Sequence, residues 1–183
     1  RDRWIFDATD DSNITIENLV FNGSVLKIYN TSYLTFKNNE VTGTLGNRPG
    51  MDWDPQHFGF FMEAGSHHLF FHDNYFHDNN EVFIGWGVSD SEWIGNVFEN
   101  NHEPIHLFGS SLNNTYKYNK FEHFSRIAIE LQDIHTGAVI ENNEFYYEEG
   151  DWGMFAISFA APGTEYASIK NNIIVGGRDW VWG

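Results

Sequence analysis

Two residues stand out for the chemistry they could share. His106 lies in Glu103-Pro104-Ile105-His106-Leu107-Phe108, and Glu130 lies in Ile127-Ala128-Ile129-Glu130-Leu131-Gln132, so each is a titratable side chain in the same place of a short apolar run. A carboxylic acid kept protonated among apolar neighbours is a general acid, and an imidazole beside it can orient or share its proton. Glu130 is therefore the candidate acid, with its pKa raised near Phe108, and His106 is its partner. Cleavage of a glycosidic bond needs a second carboxylate about 5 to 9 Å away. Asp151, Glu103 and Asp54 are the candidates, because Glu63 falls three repeats from Glu130, roughly 14 Å at the spacing of strands. Elimination would instead use His106 as base and Arg126 to neutralise a uronate carboxylate. A salt bridge from Arg126 to Glu103 or Asp151 is the competing reading of that arginine.

The elements that must position these groups are short repeats. An asparagine recurs at Asn39, Asn74, Asn96, Asn119, Asn143 and Asn172. Three residues before it stand Phe36, Phe71, Trp93, Tyr116, Ile140 and Ile169, and two after it stand Val41, Phe76, Phe98, Phe121, Phe145 and Ile174. A repeat of 22 to 24 residues between Asn74 and Asn143 marks a solenoid, in which one repeat cannot bury its apolar face without its neighbours. Alternation in short runs, broken by Asn, Gly and Asp, excludes helices. The sequence predicts an all-β, single-stranded parallel β-helix, each Asn at an inner corner in a left-handed conformation and bonded to the next Asn.

Coils such as Val139-Ile140-Glu141-Asn142-Asn143-Glu144-Phe145 and Trp93-Ile94-Gly95-Asn96-Val97-Phe98 resemble the right-handed parallel β-helix proteins of the pectate-lyase-like superfamily. The resemblance implies a right-handed solenoid, carbohydrate-active chemistry of the hydrolase or lyase type in a groove on one outward sheet face, and an extracellular or cell-surface location. A noncatalytic glycan-binding adhesin and a purely structural segment are the alternatives.

Counting back from each Asn places Phe61 and Glu63, Phe83 and Gly85, His106 and Phe108, and Glu130 and Gln132 on the outward face, since strand side chains alternate. Three outward Phe beside polar groups predict a ligand groove, or a surface for self-association or for further β-helix chain. Glu63, Trp86, Phe108 and Gln132 are the expected substrate contacts. Trp53 and Trp152 join them from two insertions, one at about 42–57 and one around 148–152, where an indole beside acids suits sugar stacking.

Residues 1–183 read as one domain and as a segment of a longer solenoid, because Trp180-Val181-Trp182 continues in coil-like fashion. The net charge of -16 and only ten Lys and Arg disfavour nucleic acid and anionic membranes, and make neutral glycans easier partners than polyuronates. No cofactor is expected; calcium would enter only with an acidic glycan. His67, His68, His72 and His77 crowd one coil, but Ile94, Lys117 and Glu141 stack beside His72, so no metal site is expected there.

Overall fold

The computed structural model describes residues 4–23, 25–44, 58–63, 65–147, 155–160, 163–176 and 181–182. Each coil contributes one strand to each of three parallel sheets, two of seven strands and one of eight. The eight-stranded sheet, called here the first sheet, carries the chemistry. Its central strands are β7 (Phe58–Met62), β10 (Glu81–Trp86), β13 (Glu103–Phe108), β17 (Ile127–Gln132) and β21 (Phe155–Ala160), paired in that order. A parallel β-helix is thus the observed fold.

The asparagine repeat forms the expected ladder. The side-chain oxygen of Asn96 accepts the backbone N–H and the side-chain amide of Asn74, each at 3.0 Å, and the Asn96 amide donates to Asn119 and to the Phe71 carbonyl. The same pattern runs from Asn39 to Asn172. The left-handed residue, however, is the one before the ladder Asn: Asn38, Asp73, Gly95, Tyr118, Asn142 and Asn171 have φ between 53° and 68°. The ladder residue itself stays in the ordinary region and turns its amide inward, so the corner and the hydrogen bond are supplied by successive residues. A second ladder, not anticipated from the sequence, links Thr44, Asn79 and Asn101 five residues further along each coil and stops where Phe124 takes the position.

Between the sheets the core is aromatic. Phe76, Phe98, Phe121 and Phe145 stack at centroid distances of 5.0, 4.7 and 4.9 Å, and Phe71, Trp93 and Tyr116 form a second stack. Equivalent residues of successive coils lie one strand spacing apart, so like rings meet like rings and bury large apolar areas in one column.

The outward face of the first sheet departs from strict alternation in two ways. First, β10 is shifted by one residue relative to the count from Asn96. Phe83 pairs with Phe60 and Ile105 and belongs to the core, and Gly85 pairs with Met62 and Leu107, so Ile84 and Trp86 are the outward residues. The cause is the following turn: Gly85 to Trp93 is one residue shorter than Met62 to Phe71. Second, two successive residues point inward near the start of these strands, Val82 with Phe83, Ala128 with Ile129 and Ala156 with Ile157. Side chains three apart therefore share the outer face, as Phe58 and Phe61 do in one apolar cluster with Ile84.

The expected row of exposed Phe is accordingly absent from the described residues. Phe83 is core, and Phe61 is buried against Phe58 and Ile84, with Trp4, Trp86 and Phe108 packed on that cluster. Outward apolar side chains on neighbouring strands meet one another before they meet a partner.

Candidate active site on the first sheet

The same break in alternation gathers the polar groups. Glu81 and Glu103 open β10 and β13 in register with each other, and His106 pairs in register with Glu130 on β17. Because residues three apart share the outer face, Glu103 lies beside His106 of its own strand, with Oε1 3.5 Å from Nδ1. The other ring nitrogen, Nε2, is 3.6 Å from Glu130 Oε2 and 3.5 Å from Gln132 Oε1. Arg126, just before β17, bonds Glu103 Oε2 at 2.5 Å and stands 3.6 Å from Glu130 Oε2. Ser158 of β21 continues the row after Glu130.

Burial sharpens these contacts. Glu103 is 0% exposed, Glu130 5% and His106 7%, whereas the Arg126 side chain is 43% exposed and Glu81 is only partly buried. Burial raises the Glu81 carboxyl to about 7, the charge of Glu103 adding to the effect while His106 and Arg126 oppose it. Glu130 is also raised, by burial and then by the neighbouring Glu103 carboxylate. Glu103 moves the other way: burial resists its ionisation, but the contacts with His106 and Glu130 and the charges of His106 and Arg126 hold it below the ordinary glutamate value. His106 is raised against its own burial by Glu103 and Glu130. One carboxylate is thus kept ionised, and two acids keep their protons towards neutrality, an arrangement in which environment divides the roles of like groups.

Beside the charged groups, Trp86 stacks on Phe108 with centroids 5.0 Å apart and planes within 10°, and Phe108 covers the His106 ring at 3.9 Å. At the corner where the seven-stranded sheet that holds Tyr75–His77 and Val97–Glu99 turns into the first sheet, a polar cleft of about 730 Å³ is lined by Tyr75, His77, Glu99, His102, His123 and Ser125 among others. His102 and Ser125, joined at 2.6 Å, immediately precede Glu103 and Arg126, so the cleft adjoins the cluster.

Of the residues singled out from the sequence, Glu130, His106, Arg126, Phe108 and Gln132 come together, with Trp86 at their edge. Glu63 follows β7, three strands from Glu130, and its N–H donates to the Ile28 carbonyl. Asp151, Trp53, Trp152 and Asp54 lie outside the described residues. Sequence reasoning missed Glu81, whose strand was counted one residue out of register, and alternation from His106 turns Glu103 inward, whereas the doubled inward residues bring it to the outer face. Matching Trp86 to Phe108, instead of counting from Asn96, would have aligned Glu81 with Glu103.

The crowded histidines do not converge. His67 and His68 meet each other at 2.7 Å, His72 meets Glu92, and His77 meets Glu40 and Asp78. The one group of three or more potential metal donors among the described residues is Glu81, Glu103 and His106.

Fold and site together define a parallel solenoid with an acid/base cluster on one outer sheet face. The family model for a right handed beta helix region matches residues 5–117, more than half of the chain, and the protein belongs to that family. No curated protein and no solved structure matches it.

Proposed function

We propose that this β-helix protein acts on a polysaccharide, cleaving glycosidic bonds with Glu130 as the general acid. The observation that carries the reading is the outward trio of Glu130, His106 and Glu103, in which an ionised Glu103 keeps a proton on Glu130 while His106 faces both. A protonated carboxyl near neutrality is what a glycosidic oxygen needs as it departs. Glu103 is fully buried and acts on Glu130 as a fixed neighbouring carboxylate, which suits it to hold the acid protonated rather than to activate water, so the second carboxylate that hydrolysis requires is assigned to Asp151 or Asp54. The Trp86–Phe108 stack supplies a platform for a pyranose face, and the adjoining polar cleft supplies room for further units.

Hydrolysis is favoured over elimination because Arg126 is already paired with Glu103 and Glu130. A uronate would have to compete with both for that cation. The net charge of -16 points the same way, towards neutral or weakly charged glycans, and the resemblance to the pectate-lyase-like superfamily favours a location at the cell surface or outside the cell.

The test is product release from a panel of neutral and acidic polysaccharides by the wild-type chain and Glu130→Gln. Turnover should fall at least about a hundredfold in the variant, the scale of a lost general acid, while glycan binding persists. Equal turnover in both proteins refutes the assignment. Binding without products in either protein identifies a glycan-binding segment, and neither binding nor products identifies a structural one.

A further inference from the structure

We propose that Glu81, Glu103 and His106 bind a divalent transition-metal cation, Zn²⁺ or Mn²⁺, on the outer face of the first sheet. One donor atom from each of the three lies within 4.8 Å of the others. Two glutamates in register on adjacent strands and an imidazole three residues along one of them make a three-sided set.

The decisive atom is Glu103 Oε1. It is buried in a side chain with no exposure, and it accepts no hydrogen bond. His106 Nδ1 stands 3.5 Å from it. A charge-assisted hydrogen bond would close to about 2.7–2.9 Å. Two ligands that each stand about 2.1 Å from a tetrahedral ion lie about 3.4 Å from one another, so the observed separation suits a shared cation better than a shared proton. A buried carboxylate oxygen without a partner is costly, and a cation is the partner its position accommodates.

The surroundings fit the same assignment. Glu103 Oε2 is fixed by Arg126, which orients the carboxylate and leaves Oε1 free to ligate. Glu130 Oε2 and Gln132 Oε1 face the other ring nitrogen, Nε2, and can fix the ring orientation from behind. One imidazole with two carboxylates leaves a position for water and is the ligand chemistry of Zn²⁺ or Mn²⁺. Calcium takes six to eight oxygens, and magnesium resists dehydration and avoids imidazole. The inference does not rest on the glycan reading, since binding of the ion is measured without any glycan.

The experiment titrates chelator-stripped protein with ZnCl₂ and MnCl₂. Zinc is read by competition with a chromophoric chelator, manganese by loss of the free-ion paramagnetic resonance signal, and the fold by far-ultraviolet circular dichroism. One equivalent should bind, with an affinity at least tenfold weaker in Glu81→Gln and in His106→Gln. Glu92→Gln, which breaks the His72–Glu92 pair on another sheet, should match wild type. The proposal is overturned if neither ion saturates a single site, if calcium or magnesium binds as well as both, or if affinity is unchanged in folded Glu81→Gln. Zinc binding that survives both substitutions and disappears on removal of His72 or His77 would also overturn it, by locating the ion elsewhere.

Discussion

Replacing Glu81 with Gln should make the protein more stable at pH 8 while leaving it nearly unchanged at pH 5. Burial moves the Glu81 carboxyl from 4.5 to about 7 in the folded chain. Between those values the folded state retains a proton that the unfolded state has released, so the derivative of unfolding free energy with pH is negative and stability falls as pH rises. The shift of 2.5 units, the difference of those two values, corresponds to about 3 kcal/mol at 1.36 kcal/mol per unit. That cost is absent below about pH 4.5 and complete above about pH 7. Gln has nearly the shape of the protonated acid and never ionises, so it removes the cost. For a chain of 183 residues, about 3 kcal/mol is worth roughly 6–12 °C in Tm.

The assay is urea unfolding of both proteins at pH 5, 6, 7 and 8 with a chelator present, so that metal binding does not enter. Glu103 has the opposite sign: its depressed pKa stabilises the fold above the unfolded value and loses that stabilisation as the pH drops, which is why the series stops at pH 5. The two stability curves should separate progressively from pH 5 to pH 8. Parallel curves, or a variant less stable at pH 8, would refute the claim that Glu81 is held protonated by the fold.

Three further outcomes are expected. Asn96→Ala strips a fully buried ladder residue of four hydrogen bonds and should cost about 3 kcal/mol or more in denaturant unfolding, whereas Asn172→Ala, at the partly buried end of the ladder, should cost about 1 kcal/mol. Gly85→Ala places a Cβ 3.1 Å from Leu107 and Met62 inside the coil and should destabilise by about 1–3 kcal/mol; a neutral effect would mean that Gly85 faces outward after all. Trp86→Ala should weaken glycan binding more than tenfold while lowering stability by less than about 2 kcal/mol, measured by calorimetric titration and thermal unfolding.

The solenoid was legible because its signal is repeated. An error in reading any one coil is outvoted by the others, and the apolar frame around Asn39 to Asn172 coincides with the observed strands. The outer face was less legible because it depends on parity, which a single missing residue reverses. The short turn after Gly85 exchanged Phe83 for Ile84 on the surface, and the doubled inward residues at Val82 and Phe83 offset that shift at Glu81, which stays on the outer face in register with Glu103 rather than with the residues the count had assigned. His106 and Glu130 were found because their coils keep the common length, whereas Glu81 sits in the coil that does not.

The asparagine ladder has a consequence for how such a site can be altered. Each rung offers the same oxygen to the coil before and the same amide to the coil after, so to the scaffold one coil boundary is equivalent to the next. The acid, its imidazole partner and the outlying glutamate sit on three consecutive turns, one above another. Chemistry is therefore composed across the turns while folding is secured along the axis. Exchanging a whole turn between ladder positions rewrites one line of the site and leaves the continuity of the column intact.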